Sequence, residues 1–500
     1  DLGQTGVRFN RDDAFRRISR SFHAVKDSEY APPVSLQKTL RKYQRDGYRW
    51  LRTLDGYGMG GILADDMGLG KTVQVLSYLL AMKQNGQTLP SLIVCPASLV
   101  LNWAEECQKF TPELSCVVVD GDAAHRAELA ESWPAADLVV TSYDLLRRDE
   151  ALYEGQEFYA CILDEAQAIK NHTTQKYKAV CKVRSRVRFA LTGTPVENRL
   201  GELWSIFSFL MPGYLPPYKS FCSRFEKPIV QEEDQTAVRR LNQLTGPFIL
   251  RRMKSDVLKE LPPKTENVYR IELEEEQRKL YLAAVVDARE KLQAAKPEDK
   301  MAVFAVLMRL REICCDPRLI ADNWEGGSAK LDACAELVSS AVEGGHRILL
   351  FSQFTSMLEL LAKRLDAEGI SHFTLQGSTP KPVRAELVRR FNGGEVSVFL
   401  ISLRAGGTGL NLTAADIVIH YDPWWNVAAQ NQATDRAYRI GQQNPVQVYK
   451  LIAQDTIEEK IVELQQAKQS LADTVTGTAD GAILSMRPDE LLQLLEGSEP

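Results

Sequence analysis

Residues 60–76 read GGILADDMGLGKTVQVL, and the reading of this stretch decides the fold. A short apolar run, GGIL, passes through a glycine-containing turn into a helical pattern that opens at Lys71. That is the strand–turn–helix layout of a phosphate-binding loop. Backbone N–H groups around Gly68 and Gly70 would cradle phosphate oxygens at the helix N-terminus. The nucleotide-binding candidates are therefore Asp66, Met67, Gly68, Leu69, Gly70, Lys71 and Thr72. Lys71 would reach the β and γ phosphates and Thr72 would ligate Mg²⁺. Asp65 stands where the generic G-x-x-x-x-G-K-[ST] pattern has its first glycine, so the bare pattern is incompletely met.

Further along, ILDEAQ supplies what the loop lacks. An apolar strand ending in adjacent carboxylates can place Asp164 on the Mg²⁺ shell and Glu165 on an attacking water. The alternative is an acidic helix start, where Asp and Glu favour the first turn. Nearer the C-terminus, QATDRAYRIGQ carries Arg436 and Arg439 three positions apart, a spacing that puts both on one helical face. Two guanidinium groups so placed could stabilise charge on a transferring γ phosphate. A surface arginine pair held by carboxylates is the other reading.

Short β-rich runs recur between helical patterns: SLIVC, CVVVD, DLVVTS, ACILD and RFALT in the first half, RILLF, HFTLQ, SVFLIS, DIVIH and VQVYKLI in the second. Such alternation predicts an α/β chain with parallel sheets flanked by helices. Residues from Leu200 to about Ala329 read mostly helical and end in the break EGGSAK. Ile457, Ile461, Leu464 and Leu471 form a stripe that predicts a last long helix packed back on its lobe. PDELLQLLEG, with Pro488 near its start, predicts a further short helix.

The chain has 500 residues, 44% hydrophobic and 25% charged, with a net charge of −5. At about 150 residues per domain this length suggests roughly three units. The acidic balance excludes a histone-like coat, so any nucleic-acid track must be locally basic. The nine cysteines include one adjacent pair, Cys314 and Cys315, and none at C-x-x-C spacing, which suggests reduced intracellular thiols. No apolar run reaches the length of a membrane span and no signal-peptide pattern opens the chain. It begins at Asp1 rather than Met, which suggests a piece of a longer protein.

In this order the motifs resemble helicase superfamily two, specifically the SWI/SNF-type DNA translocases. The resemblance spans residues 40–469 through LRKYQRDGYRWL, DDMGLGKT, LIVCPASLVLNW, VVTSYDLL, DEAQAIKN, LTGTPVENRLGELWSIFSFLMPG, LRRMKSDV, LREICCDP, ILLFSQF, SLRAGGTGLNLT, DPWWN and QATDRAYRIGQ. It implies two RecA-like lobes with helical insertions on both. Lobe 1 would cover 36–265, with an insertion at about 200–260, and lobe 2 would cover 266–475, with an insertion at about 275–325. Residues 1–35 would be an N-terminal extension and 476–500 a tail.

The resemblance also implies ATP and Mg²⁺ as cofactors, with Gln44 reading adenine, Lys71 and Thr72 on phosphate and metal, and Asp164 and Glu165 running hydrolysis. Arg436 and Arg439 look like the family's arginine fingers, and Gly407 and Gly409 fall in its nucleotide set. Asp65 in place of glycine is usual there. Outside that context Gln44 would be a plain solvated glutamine. DNA-backbone contacts are implied at Ser98, Thr141, Ser142, Ser352 and Gln353, and along Arg404, Ala405, Gly406 and on to Gly409. Hydroxyls and small residues suit close approach to phosphate, and a turn or helix-cap role is the alternative at each. Trp425 matches a family tryptophan near the DNA groove, with a buried core residue as the equal alternative.

Three departures stand out: Val427 where the family has proline, Gln167 where histidine is commoner, and no bromodomain-like, chromodomain-like or zinc-binding segment. The implied activity is ATP-driven tracking along double-stranded DNA against a DNA-bound protein, by a monomeric core without strand separation or a membrane partner. Its place would be the bacterial cytoplasm and nucleoid, or a nucleus. A strand-separating DNA or RNA helicase and a catalytically weak DNA-binding scaffold are the rivals.

Overall fold

The computed structural model describes residues 30–193, 200–232, 234–258, 263–294, 300–321, 323–406, 410–425, 427–472 and 492. The expected helix at Pro488, together with Gly407 and Gly409, lies outside them. The chain divides into two compact units between Val257 and Leu258.

The first unit is built on β1 (Gly61–Leu63), β2 (Ser91–Cys95), β3 (Cys116–Val118), β4 (Leu138–Ser142), β5 (Glu157–Leu163), β6 (Arg184–Leu191) and β7 (Ile249–Leu250). They form one sheet in the order β3-β4-β2-β5-β6-β1-β7, every pairing parallel. β2 and β4 are buried along their whole length. Continuous Val, Ile and Leu runs suit strands covered by helices on both faces.

The second unit holds β8 (Lys264–Ile271), β9 (Ile348–Ser352), β10 (His372–Leu375), β11 (Val398–Ser402), β12 (Ile417–His420) and β13 (Val446–Ala453). Their order is β10-β11-β9-β12-β13-β8, again all parallel. The expected α/β class with parallel, helix-flanked sheets is what the chain forms.

Residues 200–329 are mostly helical among those described, as their pattern predicts, but they also hold two strands that the pattern does not show. β7 has only two residues, too short for periodicity to show, yet it pairs with β1 beside the phosphate loop. β8 reads KTENVYRI and is mostly exposed, so no apolar alternation marks it. Its full-length pairing with β13 and the Lys450–Glu266 and Lys264–Glu266 ion pairs at 2.8 and 2.7 Å hold it in place. Burial raises the Glu266 carboxyl, but the two lysines outweigh it and bring the pKa down to about 2. Charges on an edge strand also discourage pairing with foreign strands.

The rest of 200–257 is mostly helical among the described residues, with helices Leu200–Leu210 and Gln235–Thr245 as its longest pieces. In the second unit, helices Glu275–Ala294 and Lys300–Cys315 make an insertion. Tyr281, Val285, Leu292, Leu307 and Leu310 of that pair share a core with Ile457 and Ile461 of the last long helix, Ile457–Ala472. Ile457 and Ile461 of the stripe thus pack as the spacing predicts, and the Leu471 side chain lies outside the described residues. Leu464 is partly buried against the same cluster.

Candidate nucleotide site and DNA-facing loops

The phosphate loop joins β1 to helix Lys71–Gln84, whose N-cap Gly70 is left-handed at φ 73°. Gly68 is left-handed too, at φ 81°, and only glycine takes such angles without steric cost. A Cβ on Gly70 would also stand 2.5 Å from Gln44 Nε2. Lys71 Nζ donates to the Asp65 carbonyl at 2.6 Å and to the Asp66 carbonyl at 3.4 Å, which keeps its ammonium folded over the loop. Thr72 follows in the first turn of the helix.

Gln44 is not a solvated residue, being only 5% exposed. Its Nε2 donates to the Leu69 carbonyl at 3.0 Å and its Oε1 accepts the Arg41 N–H at 2.9 Å. The Tyr43 hydroxyl donates to the same Leu69 carbonyl at 3.0 Å. Both side chains therefore clamp the loop from helix Lys42–Gly56.

The reason for Asp65 in place of glycine is a partner that sequence reasoning missed. Asp65 is fully buried, and Arg252, just beyond β7, grips it: Nε donates to Oδ1 at 2.8 Å and a terminal nitrogen donates to Oδ2. Arg252 also donates to the Tyr43 carbonyl and, at 2.8 Å, to Gln74 Oε1. Asp66 is held from the same segment, its Oδ2 accepting the Lys254 N–H at 2.9 Å and its own N–H donating to the Arg252 carbonyl at 3.0 Å. A buried carboxylate with a two-pronged guanidinium partner is a rigid anchor, and it sits at the base of the loop.

The acid pair follows β5, at the centre of the sheet. The Asp164 N–H donates to the Val94 carbonyl at 2.8 Å. Its Oδ2 accepts the indole N–H of Trp103 at 2.8 Å, and its Oδ1 accepts the Glu165 N–H at 2.9 Å. Burial and the neighbouring Glu165 charge raise the Asp164 pKa to about 7, against the pull of Trp103, Lys71 and the Glu165 N–H. Lys71 and Asp164 thus feel one another, and a carboxylate held so high suits a cation. Glu165 is itself left-handed, at φ 49° and ψ 56°. Its Oε2 accepts Gln167 Nε2 at 2.8 Å, and Gln167 Oε1 accepts the Thr192 hydroxyl at 3.1 Å. Both carboxylates follow the end of β5 at Leu163, and Glu165 also stands at the N-cap of the one-turn helix Ala166–Ile169.

A raised Asp164 pKa works against the fold. The unfolded chain ionises this group near 3.8, the folded chain near 7, so stability falls as pH rises through that window. Asp164→Asn removes the penalty. It is expected to raise stability at pH 8 by roughly 1–2 kcal/mol, a discount on the full linkage value for solvent access. The gain shrinks to nothing near pH 4. Thermal melts at both pH values check this, and an unchanged or lower Tm at pH 8 overturns it.

The same residues bear on Mg²⁺ binding. Among the described residues no group of three or more His, Cys, Asp or Glu side chains gathers as ligands. Mg²⁺ is usually held by one or two protein groups plus substrate phosphates and water. The Asp164 carboxylate and the Thr72 hydroxyl fit that role.

The candidates for DNA contact are more deeply set than expected. Ser98 is half-buried in the turn before helix Val100–Phe110. Thr141 is fully buried in β4, and Ser142 caps helix Tyr143–Arg148, its hydroxyl accepting the Leu145 N–H at 3.2 Å. Ser352 is buried and spends its hydroxyl on Asp422 Oδ1 at 2.6 Å. The Ser352 hydroxyl proton is thus committed to Asp422, whereas the Ser142 hydroxyl only accepts in its cap. Trp425 takes the core alternative: it is 4% exposed and lies among the buried residues of the insertion.

Ala405 and Gly406 close the short helix Leu403–Gly406, which Arg404 also joins. Arg436 and Arg439 are not on a helix. Helix Val427–Thr434 ends before them, because the Leu412 N–H takes the Arg436 carbonyl at 3.1 Å and Gln442 pins the following turn to the Ala415 carbonyl at 2.7 Å. Arg436 Nε donates to the Gly406 carbonyl at 3.0 Å, and a terminal nitrogen of Arg439 donates to the Leu410 carbonyl at 3.4 Å. Both therefore border the glycine segment. Val427 begins its helix without the family's proline.

Two parallel-sheet units, the first with a phosphate loop and an acid pair at its strand ends, define a nucleotide-binding class of α/β proteins. This chain belongs to the SNF2-related family of helicase superfamily two, a class of DNA-dependent ATPases: the SNF2-related domain matches residues 43–319 and the helicase conserved C-terminal domain matches residues 329–441. It is 39% identical over 501 residues to the putative ATP-dependent helicase/translocase YwqA of Bacillus subtilis, covering 98% of this chain and 54% of that protein. It is 34% identical over 552 residues to the TATA-binding protein-associated factor MOT1 of Saccharomyces cerevisiae, covering 96% and 30%. The chain thus spans about half of the bacterial relative and under a third of the yeast one. A solved Sulfolobus solfataricus SWI2/SNF2 ATPase core in complex with dsDNA is 35% identical, with 92% of this chain and 96% of that one covered and a TM-score of 0.46. No described helix is long and apolar enough to cross a membrane.

Proposed function

We propose that this chain is the motor core of an ATP-dependent double-stranded DNA translocase, which displaces or remodels proteins bound to the duplex without separating its strands. The observation that carries the reading is the acid pair Asp164–Glu165, on a strand end whose Asp164 senses the Lys71 charge. Lys71 releases the Asp65 and Asp66 carbonyls and binds the β and γ phosphates of ATP. N–H groups of the Gly68–Gly70 turn hold phosphate oxygens, and Gln44 sets the loop while facing the adenine. Glu165, fixed by Gln167, accepts a proton from the attacking water. Mg²⁺, when held by Thr72 and Asp164, neutralises phosphate charge. By the family resemblance Arg436 and Arg439 are the candidates for arginine fingers, and Gly407 and Gly409 belong to the same candidate nucleotide set.

Backbone-directed contacts around Ser98, Thr141, Ser142, Ser352, Gln353 and the Arg404–Gly406 segment would give little sequence preference and strong salt dependence. The relatives' names, a helicase/translocase and a factor associated with a DNA-binding protein, favour a protein load on duplex DNA.

The test is the ATPase rate without nucleic acid and with single-stranded DNA, duplex DNA or RNA, with Lys71→Ala as the inactive control. Duplex DNA is expected to stimulate most, and stimulation by RNA but not duplex DNA overturns the reading. Triplex displacement from an intact duplex, without unwinding of a tailed one, is the expected motor behaviour. Efficient unwinding makes the chain a strand-separating helicase instead.

A further inference from the structure

Arg311 lies on helix Lys300–Cys315 and is completely buried. A buried guanidinium is strongly destabilising unless its charge and donors are matched. Here its partners come from the ends of two neighbouring strands. One terminal nitrogen donates to Gln353 Oε1 at 2.6 Å, just past β9. The other donates to Asp422 Oδ2 at 3.1 Å and to the Pro423 carbonyl at 2.7 Å, just past β12. Its Cζ lies 4.4 Å from the Trp425 ring centroid and 5.3 Å from that of Phe354.

Asp422 then gathers the turn after β9. Its Oδ1 accepts the Ser352 hydroxyl at 2.6 Å and the Gln353 N–H at 3.1 Å. β9 and β12 are adjacent, with His420 paired to Phe351, so a single side chain from the helical insertion ties together the carboxyl ends of both strands. In open parallel sheets, ligands bind at those ends.

We infer that Arg311 is a positioning residue for DNA engagement by the second unit: with Asp422 it fixes the Ser352–Phe354 turn in the shape that meets the DNA backbone. This rests on the translocase reading above. A lysine at the same place keeps the charge but cannot hold Gln353, Asp422 and Pro423 in one plane, nor stack on Trp425 in the same way. The insertion is therefore part of how DNA is gripped, although none of its residues need touch DNA.

The test compares wild type, Arg311→Lys and Arg311→Met by ATPase titration with duplex DNA, beside thermal melts. The half-saturating DNA concentration is expected to rise at least about fivefold in Arg311→Met, more than kcat at saturating DNA falls, with Arg311→Lys intermediate. Ser352→Ala, which loosens the same turn from the Asp422 side, is the milder arm if Arg311→Met does not fold, and it is expected to shift half-saturation in the same direction. A lowered Tm with half-saturation within twofold of wild type in every folded variant overturns the inference and leaves Arg311 a packing residue. A wild type that duplex DNA does not stimulate overturns the translocase reading instead.

Discussion

Glu165→Gln is expected to lower ATP turnover by about 10²–10⁴-fold while nucleotide affinity stays within about threefold of wild type. The substitution preserves shape but removes the group that can accept a proton. Nothing in the phosphate loop depends on the Glu165 carboxylate, since Lys71, Gln44 and the loop carbonyls are held by other partners. Binding and chemistry should therefore separate cleanly.

The backbone adds an independent argument. A non-glycine residue in left-handed conformation costs roughly 1–2 kcal/mol, and Glu165 is one of only two such residues among those described. Strain of this kind persists where surrounding structure enforces it, and it clusters at functional sites. Here it turns the Glu165 side chain onto Gln167, which in turn meets Thr192 at the end of β6. Single-turnover hydrolysis together with equilibrium binding of a fluorescent ATP analogue measures both quantities. Turnover within tenfold of wild type removes Glu165 as the base. A comparable loss of affinity makes it a binding residue.

Much of the architecture was legible because it rests on local pattern. β2, β4, β9 and β11 are buried apolar runs, and the phosphate loop declares itself through glycines next to Lys71. What escaped depends on partners distant in sequence or on the absence of pattern. β8 is a polar edge strand defined by its neighbour β13 rather than by its own composition. Asp65 and Arg252 are 187 positions apart, so LRRMKSDV was visible as a motif while the ion pair that explains it was not. Trp103 closes LIVCPASLVLNW, but nothing in that motif shows that its indole N–H holds the catalytic candidate Asp164. The three-residue spacing of Arg436 and Arg439 suggested a helical face, yet the Leu412 and Gln442 contacts end the helix before either. Periodicity describes an element in isolation, and tertiary hydrogen bonds decide where it stops.

The second large effect follows from the Asp65–Arg252 pair. Arg252→Met is expected to destabilise the first unit by about 3–5 kcal/mol, because removing one partner leaves the other as an uncompensated buried charge. Asp65→Asn should cost distinctly less. Asp65 has no solvent access, whereas the Arg252 side chain retains 12% and still has the Tyr43 carbonyl and Gln74 Oε1 as acceptors. The stranded arginine keeps acceptors and some water, whereas the stranded aspartate keeps a neutral donor, Gln74 Nε2 at 3.2 Å, but loses its counter-charge. The double variant Asp65→Leu/Arg252→Met should be more stable than Arg252→Met alone, since no buried charge remains. Its affinity for ATP should nevertheless stay weakened, because the lost anchor is also what fixes the base of the phosphate loop through Asp65. Urea unfolding of the four proteins, with ATP binding measured on each, separates the two effects. Equal costs for the two single variants, or a double variant less stable than Arg252→Met, would show that the pair is not the buried anchor described. Wild-type ATP affinity in the double variant would confine the pair's role to stability.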